Sequence, residues 1–175
     1  KGEAKTNADR WQGSIAPLEG AVLDGAELVV DALFGAGLDR PLQGIAAEIL
    51  AASVTRGIPI VAIDVPSGVM GDSGLALGAV ESALTVTFFR KKPGHLLLPG
   101  KRLCGDVVVA DIGTPAAVLQ ALVPDIFENG PSLWLGALPR LVDGSNKYSR
   151  GHALIWGGYP ATGAARMAAR AAART

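Results

Sequence analysis

Four short apolar runs each lead into an acid or a polar loop, and together they predict the strands of a sheet. The runs are residues 27–34, 60–63, 84–89 and 106–113. Their lengths and their β-branched or aromatic side chains are typical of strands in a parallel sheet. Between the first two runs, residues 42–56 carry apolar side chains at helical spacing: Ile45, Ile49, Leu50 and Val54. This strand, helix, strand order predicts a βαβ unit with a right-handed crossover, and hence an α/β fold.

The residues that could carry chemistry follow these runs. Asp31 lies in the first run, Asp64 directly follows the second, and residues 35–41 form a glycine-rich loop. Parallel strands bring such loops to one edge of a sheet, where ligands bind. Glycines let backbone N–H groups approach phosphate oxygens, and a following helix adds the positive end of its dipole. The sequence therefore predicts one pocket shared by two acids and the loop.

Two further interpretations of these segments stay open. Residues 60–68 could be an ordinary strand and turn with a structural acid, and Gly-Ala-Gly is not the complete dinucleotide fingerprint.

We interpret the basic triplet 90–92 as a solvated turn. His95 and His152 lack the spacing of metal ligands, and we interpret both as ordinary surface or packing residues.

Prolines and a Glu-Asn-Gly turn interrupt the pattern between residues 114 and 140, which indicates a domain boundary. We predict a first domain at 1–115, a linker at 116–140 and a second domain at 141–175. The second domain would begin with a strand at 152–156 and an alanine-rich helix at 164–175, with Thr162 as the helix cap. One strand and one helix cannot bury a core, so we expect this domain only to begin here.

Composition narrows the functional classes. The chain has 175 residues, 49% of them hydrophobic and 18% charged, with zero net charge, which predicts a folded domain and no nucleic-acid partner. A single cysteine excludes a disulfide framework within the chain and is compatible with a reducing compartment. No apolar run reaches the ~18 residues of a membrane span, and the first residues lack a signal-peptide core and an initiator Met. We expect a fragment of a cytoplasmic protein with no membrane partner.

Several motifs in the right order resemble the family of bifunctional bacterial NAD(P)H-hydrate repair enzymes. In that family an epimerase domain precedes an ADP- or ATP-dependent dehydratase domain. The resemblance covers nearly the whole chain and rests on residues 31–42, 63–68, 84–88, 92–94, 104–113, 147–152 and 162–165. It implies the carboxyl half of a Rossmann-like, three-layer parallel sheet, followed by the first strand and helix of a ribokinase-like domain. The family's Asn-rich substrate loop would lie upstream of this chain.

The same resemblance implies a site. Asp64 is its candidate catalytic acid or base, and Asp31 and Ser67 fall on positions of potassium ligands. Oxygen ligands of these types suit a hard cation. The implied substrate-contact residues are Gly35, Ala36, Gly37, Leu38, Asp39, Arg40, Pro41, Asp64 and Ala164. The implied substrate is hydrated NADH or NADPH, and a homo-oligomer is compatible with the family. ADP or ATP with magnesium would bind the dehydratase domain beyond Thr175.

Functions from other classes remain alternatives. The epimerase-like fold also resembles non-catalytic binding or dimerisation scaffolds, including an apolipoprotein-binding protein. The presence of Asp31, Asp64 and Ser67 together favours an enzyme over a scaffold. A nucleotide-dependent oxidoreductase is disfavoured because no acid follows the glycine loop in the arrangement used for ribose recognition. A sugar kinase stays open.

Overall fold

The computed structural model describes residues 3–140, 142–149 and 151–174. These residues form two compact units, Lys1–Glu128 and Asn129–Thr175. The strands of the first unit are β1 (Val29–Asp31), β2 (Ile60–Ile63), β3 (Leu84–Phe88) and β4 (Asp106–Ala110). Its helices are α1 (Glu3–Arg10), α2 (Gly44–Thr55), α3 (Gly100–Leu103) and α4 (Val118–Leu122), with short 3₁₀ helices at Gly20–Leu23 and Pro93–His95.

The four strands form one parallel sheet in the order β1-β2-β3-β4. Val30 pairs with Val61, which pairs in turn with Leu84, and Leu84 pairs with Asp106. The predicted α/β fold with a parallel sheet is confirmed, and it is consistent with a Rossmann-like fold. Because all strands run in one direction, the loops after Asp31, Ile63 and Phe88 leave the same edge of the sheet.

Helix α2 connects β1 to β2 and supplies part of the apolar core. Leu50 packs with Leu42 and with Ile60 of β2, and each of these side chains is buried. Full burial of one such side chain contributes about 1.5–3 kcal/mol. Of the predicted helical stripe, Ile45 and Val54 remain exposed, because only one side of the helix faces the core.

The threonines of β3 face inward. Thr85 and Thr87 are fully buried, and their hydroxyls find partners that offset the loss of water. Thr85 Oγ1 donates to the Cys104 carbonyl oxygen at 2.7 Å, which ties β3 to the end of α3. Thr87 Oγ1 donates to Asp64 Oδ1 at 3.1 Å. One face of β3 therefore carries both a structural hydroxyl and a hydroxyl that contacts a predicted site residue.

Cys104 is expected to resist thiol reagents in the folded protein. Its side chain is fully buried, and burial raises the pKa of the thiol to about 11, although the hydrogen bond with Thr85 acts in the opposite sense. Since the thiolate is the reactive form, alkylation at pH ~8 should be at least about 100-fold slower than in denatured protein. Peptide mapping by mass spectrometry after timed iodoacetamide treatment measures both rates. Equal rates would contradict the buried environment.

The second unit contains α5 (Pro131–Trp134), a 3₁₀ helix at Leu135–Ala137 and α6 (Gly163–Ala172). The predicted alanine-rich helix is thus confirmed, with Thr162 at the N-cap position but without a side-chain capping bond. The predicted strand at 152–156 was wrong: these residues have no regular structure, and Leu154 and Trp156 are 91% and 94% exposed. A strand needs a hydrogen-bonded neighbour, and the described part of this unit contains no strand to provide one. Its ribokinase-like character stays a prediction.

Throughout residues 3–140, 142–149 and 151–174, no helix is both long enough and apolar enough to cross a membrane.

Candidate functional site

Asp31 and Ser67 form a buried pair at the edge of the sheet where the strands end. Ser67 Oγ donates to Asp31 Oδ1 at 2.6 Å, and the Ser67 amide donates to Asp31 Oδ2 at 2.8 Å. The Asp31 and Ser67 residues are 2% and 1% exposed. The Phe34 amide donates to Ser67 Oγ at 3.0 Å, so the loop after β1 is tied to the loop after β2.

The Asp31 carboxylate has hydrogen bonds but no cationic partner among the described residues. A buried negative charge without a counter-charge is costly, and a bound cation would offset that cost. The nearby oxygens are the carboxylate, the Ser67 hydroxyl and the Phe34 carbonyl, which lies 3.4 Å from Ser67 Oγ. The described residues contain no cluster of three or more His, Cys, Asp or Glu side chains able to hold a metal. A monovalent cation held by mixed oxygens does not require one.

Asp64 follows β2 with a left-handed backbone, at φ 73°. Such a conformation is uncommon outside glycine and persists where surrounding contacts hold it. The Asp64 amide donates to the Val86 carbonyl oxygen at 2.8 Å, which extends the pairing with β3 by one residue. Its carboxylate receives the Ala36 amide at Oδ2, at 3.2 Å, and remains 23% exposed. The structure therefore presents a partly accessible carboxylate in a fixed orientation beside the glycine loop.

The predicted glycine loop lines an open cleft of about 430 Å³. Five of the predicted contact residues border it: Gly35, Gly37, Leu38, Asp39 and Arg40. Pro41 borders a smaller neighbouring cleft. The Ala36 amide is engaged by Asp64, and the Leu38 amide donates to the Gly35 carbonyl oxygen. Because these two amides already donate hydrogen bonds within the protein, a bound anion would contact other groups of the loop.

Ala164 lies in the first turn of α6 in the second unit, where it is exposed. Its predicted contact with substrate stays a prediction.

The interpretation of the basic triplet 90–92 as a solvated turn was wrong for Lys92, which bonds to the candidate site. Its ammonium forms a salt bridge with Asp64 Oδ1 and donates to Thr87 Oγ1 at 2.8 Å, with its side chain 26% exposed. The interpretation fits Arg90, which is exposed, and it fits Lys91 only in part, because Lys91 pairs with exposed Glu128. The 3₁₀ turn at Pro93–His95 folds the chain back, which turns one of three adjacent basic residues towards the site.

His95 is a packing residue, as expected, but both of its ring nitrogens also bond to the site. Nδ1 accepts the Lys92 amide at 2.9 Å, and Nε2 lies 2.8 Å from the Asp64 carbonyl oxygen. These partners require a neutral ring that carries its proton on Nε2. Burial lowers the pKa of His95, and the nearby Lys92 charge lowers it further. The hydrogen bond with the Asp64 carbonyl oxygen raises the pKa, but the net effect is a lowered pKa. At neutral pH the ring therefore connects the two residues in its neutral form.

Glycines allow the loops of the site to pack backbone against backbone. An added Cβ at Gly71 would lie 2.6 Å from Ala36 Cβ, and one at Gly94 would lie 2.5 Å from the Met70 carbonyl oxygen. The Gly94 amide donates to the Gly71 carbonyl oxygen at 2.6 Å. This close stacking sets the distance between the glycine loop and the turn that carries Lys92 and His95.

The net effect of these contacts on Asp64 favours its charged form. Burial raises the pKa of the Asp64 carboxyl, but the Lys92 hydrogen bond and charge, the Ala36 amide and the Thr87 hydroxyl together outweigh it. The pKa therefore lies below its usual 3.8. Asp64 is ionised at neutral pH, where it can accept a proton.

Lowering the pH below about 6.5 is expected to reduce the free energy of unfolding through His95. The pKa of folded His95 lies below its usual 6.5, so the unfolded chain takes up a proton that the folded chain resists. The stabilising contribution is complete above that pH and is lost as the pH falls towards the folded-state pKa. Urea unfolding of wild type and His95→Gln at pH ~7.5 and ~5.5 measures the difference, which should shrink in the variant.

The matched control is His152→Gln, because His152 is exposed and belongs to the second unit. It should retain the pH dependence of wild type. An unchanged pH dependence in His95→Gln would contradict the role assigned to the buried ring.

Three residues of the site were missed by sequence reasoning: Thr87, Lys92 and His95. Thr87 gave a weak signal, because it is a polar residue near the end of a predicted strand, where candidate ligands gather. Lys92 and His95 gave no periodic signal, since their positions depend on the turn between them.

The comparison with known proteins bears on the same stretch of chain. The family described as "YjeF-related protein N-terminus" matches residues 2–94, just over half of the sequence. This range includes Asp31, Asp64, Ser67 and Lys92, together with the glycine loop. The chain belongs to the YjeF-related protein N-terminus family. Together with the relatives described next, this match confirms the resemblance inferred from the motifs.

Relatives of this family member include enzymes with one or two named activities. The bifunctional NAD(P)H-hydrate repair enzyme Nnr of Coxiella burnetii is 36% identical over 99% of this chain and 37% of its own length. The enzyme of the same name from Thermofilum pendens is 42% identical over 60% of this chain and 20% of its own length. The NAD(P)H-hydrate epimerase of Rhodobacter capsulatus is 45% identical over 63% of this chain and 54% of its own length. The chain thus spans from about a fifth to about half of these relatives.

Proposed function

We propose that this chain contributes to the repair of hydrated NADH and NADPH by interconverting the R and S hydrates. The observation that carries the proposal is the Asp64 carboxylate, which is ionised, partly exposed and held beside the glycine loop by the Ala36 amide. The relatives named NAD(P)H-hydrate epimerase and bifunctional repair enzyme support the reaction class.

The chemistry needs a proton acceptor at a carbon that bears a hydroxyl and a ring nitrogen. Inversion there follows when the hydroxyl leaves and water adds to the opposite face. The ring nitrogen provides the electron pair that expels the hydroxyl, which leaves as water after it gains a proton from solvent. The incoming water loses a proton as its oxygen bonds to the carbon, and Asp64 would accept it. Asp64 then releases this proton to solvent, which replaces the proton taken up when the hydroxyl left.

The cleft beside residues 35–41 would hold the rest of the dinucleotide. Its exposed glycines leave backbone accessible to phosphate oxygens, and Arg40 contributes a cation at the rim. The Ala36 amide would orient the acid rather than bind phosphate, because it already donates to Asp64.

A potassium ion would fit the oxygens of Asp31 and Ser67. The support is a buried carboxylate without a cationic partner in the described part of the chain, beside a hydroxyl and a carbonyl oxygen. When bound, the ion would compensate that charge and tie together the loops after β1 and β2. Asp31 itself would hold the Ser67 backbone through its second oxygen.

In the complete natural protein we propose a second step, the ADP- or ATP-dependent dehydration of the S hydrate. The support is the alignment of 99% of this chain with a relative named as bifunctional. The second unit would then form the beginning of a ribokinase-like domain, and Ala164 would lie near the substrate of that domain.

The test is to incubate the complete natural protein with the purified R hydrate and follow the S hydrate by chromatography. We expect the epimers to equilibrate much faster than in buffer alone. Equal rates with and without protein would overturn the proposal and favour the scaffold alternative.

A further inference from the structure

The Asp64 carboxylate is restrained at both of its oxygens. Oδ1 accepts from the Lys92 ammonium and the Thr87 hydroxyl, while Oδ2 accepts from the Ala36 amide. Lys92 also donates to Thr87 Oγ1, so Lys92, Thr87 and Asp64 bond to one another in a triangle. Charge-assisted hydrogen bonds in a triangle restrict rotation of the carboxylate far more than one bond would.

The backbone around this triangle is held by His95. One imidazole ring accepts the Lys92 amide and donates to the Asp64 carbonyl oxygen. The left-handed conformation of Asp64 is thereby fixed from the same turn that supplies the ammonium. Lys92 further donates to the Phe88 carbonyl oxygen at 3.3 Å, which anchors its ammonium at the end of β3.

The neighbouring Lys91 shows that a positive charge at this turn is not sufficient to form an ion pair with Asp64. Its ammonium lies 3.0 Å from Glu128 Oε1, and the Glu128 side chain is 54% exposed. Two adjacent lysines thus have different partners, one in the candidate site and one at the surface. An exposed pair of this kind contributes little to stability.

We infer that Lys92 is a positioning residue, which holds the Asp64 carboxylate in the orientation required for proton transfer, with Thr87 and His95 supporting it. The inference rests on the proposed epimerase function and deepens it. Lys92 acts through Asp64, so its loss should slow turnover more than it weakens substrate binding.

The experiment compares Lys92→Met, Lys92→Arg and Lys91→Met in the complete natural protein. Methionine keeps an unbranched side chain and removes the charge, while arginine keeps the charge and the donors. We expect Lys92→Met to lower kcat about 10- to 100-fold with KM changed less than about threefold. Lys92→Arg should recover part of this loss. Lys91→Met should match wild type, because its partner lies outside the site.

A second readout separates positioning from general damage to the fold. Removing Lys92 removes the strongest influence that lowers the pKa of Asp64 and leaves burial, which raises it. The acidic limb of the kcat profile and the titration of the Asp64 carboxyl, followed by ¹³C NMR, should therefore both move to higher pH. Circular dichroism confirms that each variant is folded.

A wild-type kcat and an unmoved Asp64 titration in Lys92→Met would overturn the inference. If instead the wild-type protein shows no epimerase activity, the proposed function fails. The NMR titration then still decides whether Lys92 controls the Asp64 carboxylate. A loss of kcat in Lys91→Met equal to that in Lys92→Met would also overturn the inference about Lys92, since a general effect of positive charge would then explain both losses.

Discussion

Replacing Asp64 with asparagine is expected to lower the rate of hydrate epimerisation about 10²–10⁴-fold, the usual contribution of a general acid or base. Asparagine has a similar shape and can still accept the Ala36 amide through its oxygen. It cannot accept a proton from water at neutral pH. The loss should therefore appear in kcat, which initial-rate assays on the purified R hydrate measure.

The fold of this variant should survive. Asp64 and Lys92 are each about a quarter exposed, so loss of their ion pair should change the free energy of unfolding by only ~1 kcal/mol. Asp106→Asn is the matched control, because this exposed carboxylate begins β4 and so lies at the opposite edge of the sheet. Wild-type activity in a folded Asp64→Asn protein would remove Asp64 from the mechanism.

Replacing Asp31 with asparagine is expected to abolish the stabilisation of the protein by potassium. Both Asp31 oxygens accept hydrogen bonds from Ser67, and an amide offers only one acceptor. The free energy of unfolding should therefore fall by about 1–3 kcal/mol even without the ion. In wild type, each tenfold rise of potassium above its dissociation constant should add about 1.4 kcal/mol.

Thermal unfolding in potassium chloride and in choline chloride at equal ionic strength measures this response. Asp111→Asn is a close control: Asp111 Oδ1 accepts the amide two residues later at 2.8 Å, as Asp31 does at 3.3 Å, but Asp111 is exposed. It should keep the potassium response of wild type. An unchanged response in Asp31→Asn, or none in wild type, would contradict the assigned cation site.

Much of the candidate site could be predicted because it depends on strand order. The strand, helix, strand order predicted that β1 and β2 run parallel, and parallel pairing brings Asp31 and Asp64 to the same edge. Ser67 follows three residues after Asp64, so the turn after β2 also carries it to that edge. The predicted approach of the glycine loop is confirmed by the Ala36 contact with Asp64.

The contribution of the turn after β3 could not be predicted in this way. A run of three basic residues is ordinarily solvated, and its charge pattern does not distinguish Lys92 from Lys91. The motif at residues 92–94 indicated the family but not a contact of Lys92 with the site. The difference arises from close backbone stacking at Gly94, where a side chain would meet the Met70 carbonyl oxygen. Contacts between residues far apart in sequence leave no periodic signal.

The sequence alone determined the parallel α/β sheet, the family and the edge at which the candidate site lies, because strand periodicity and short motifs are local properties of the chain. Tertiary structure decided which side chains complete the site and which predicted elements form. It directed Lys92 and His95 to Asp64, and it left residues 152–156 without regular structure. The physical reason is the same in both cases: a hydrogen bond needs a partner, and only the folded chain determines where that partner lies.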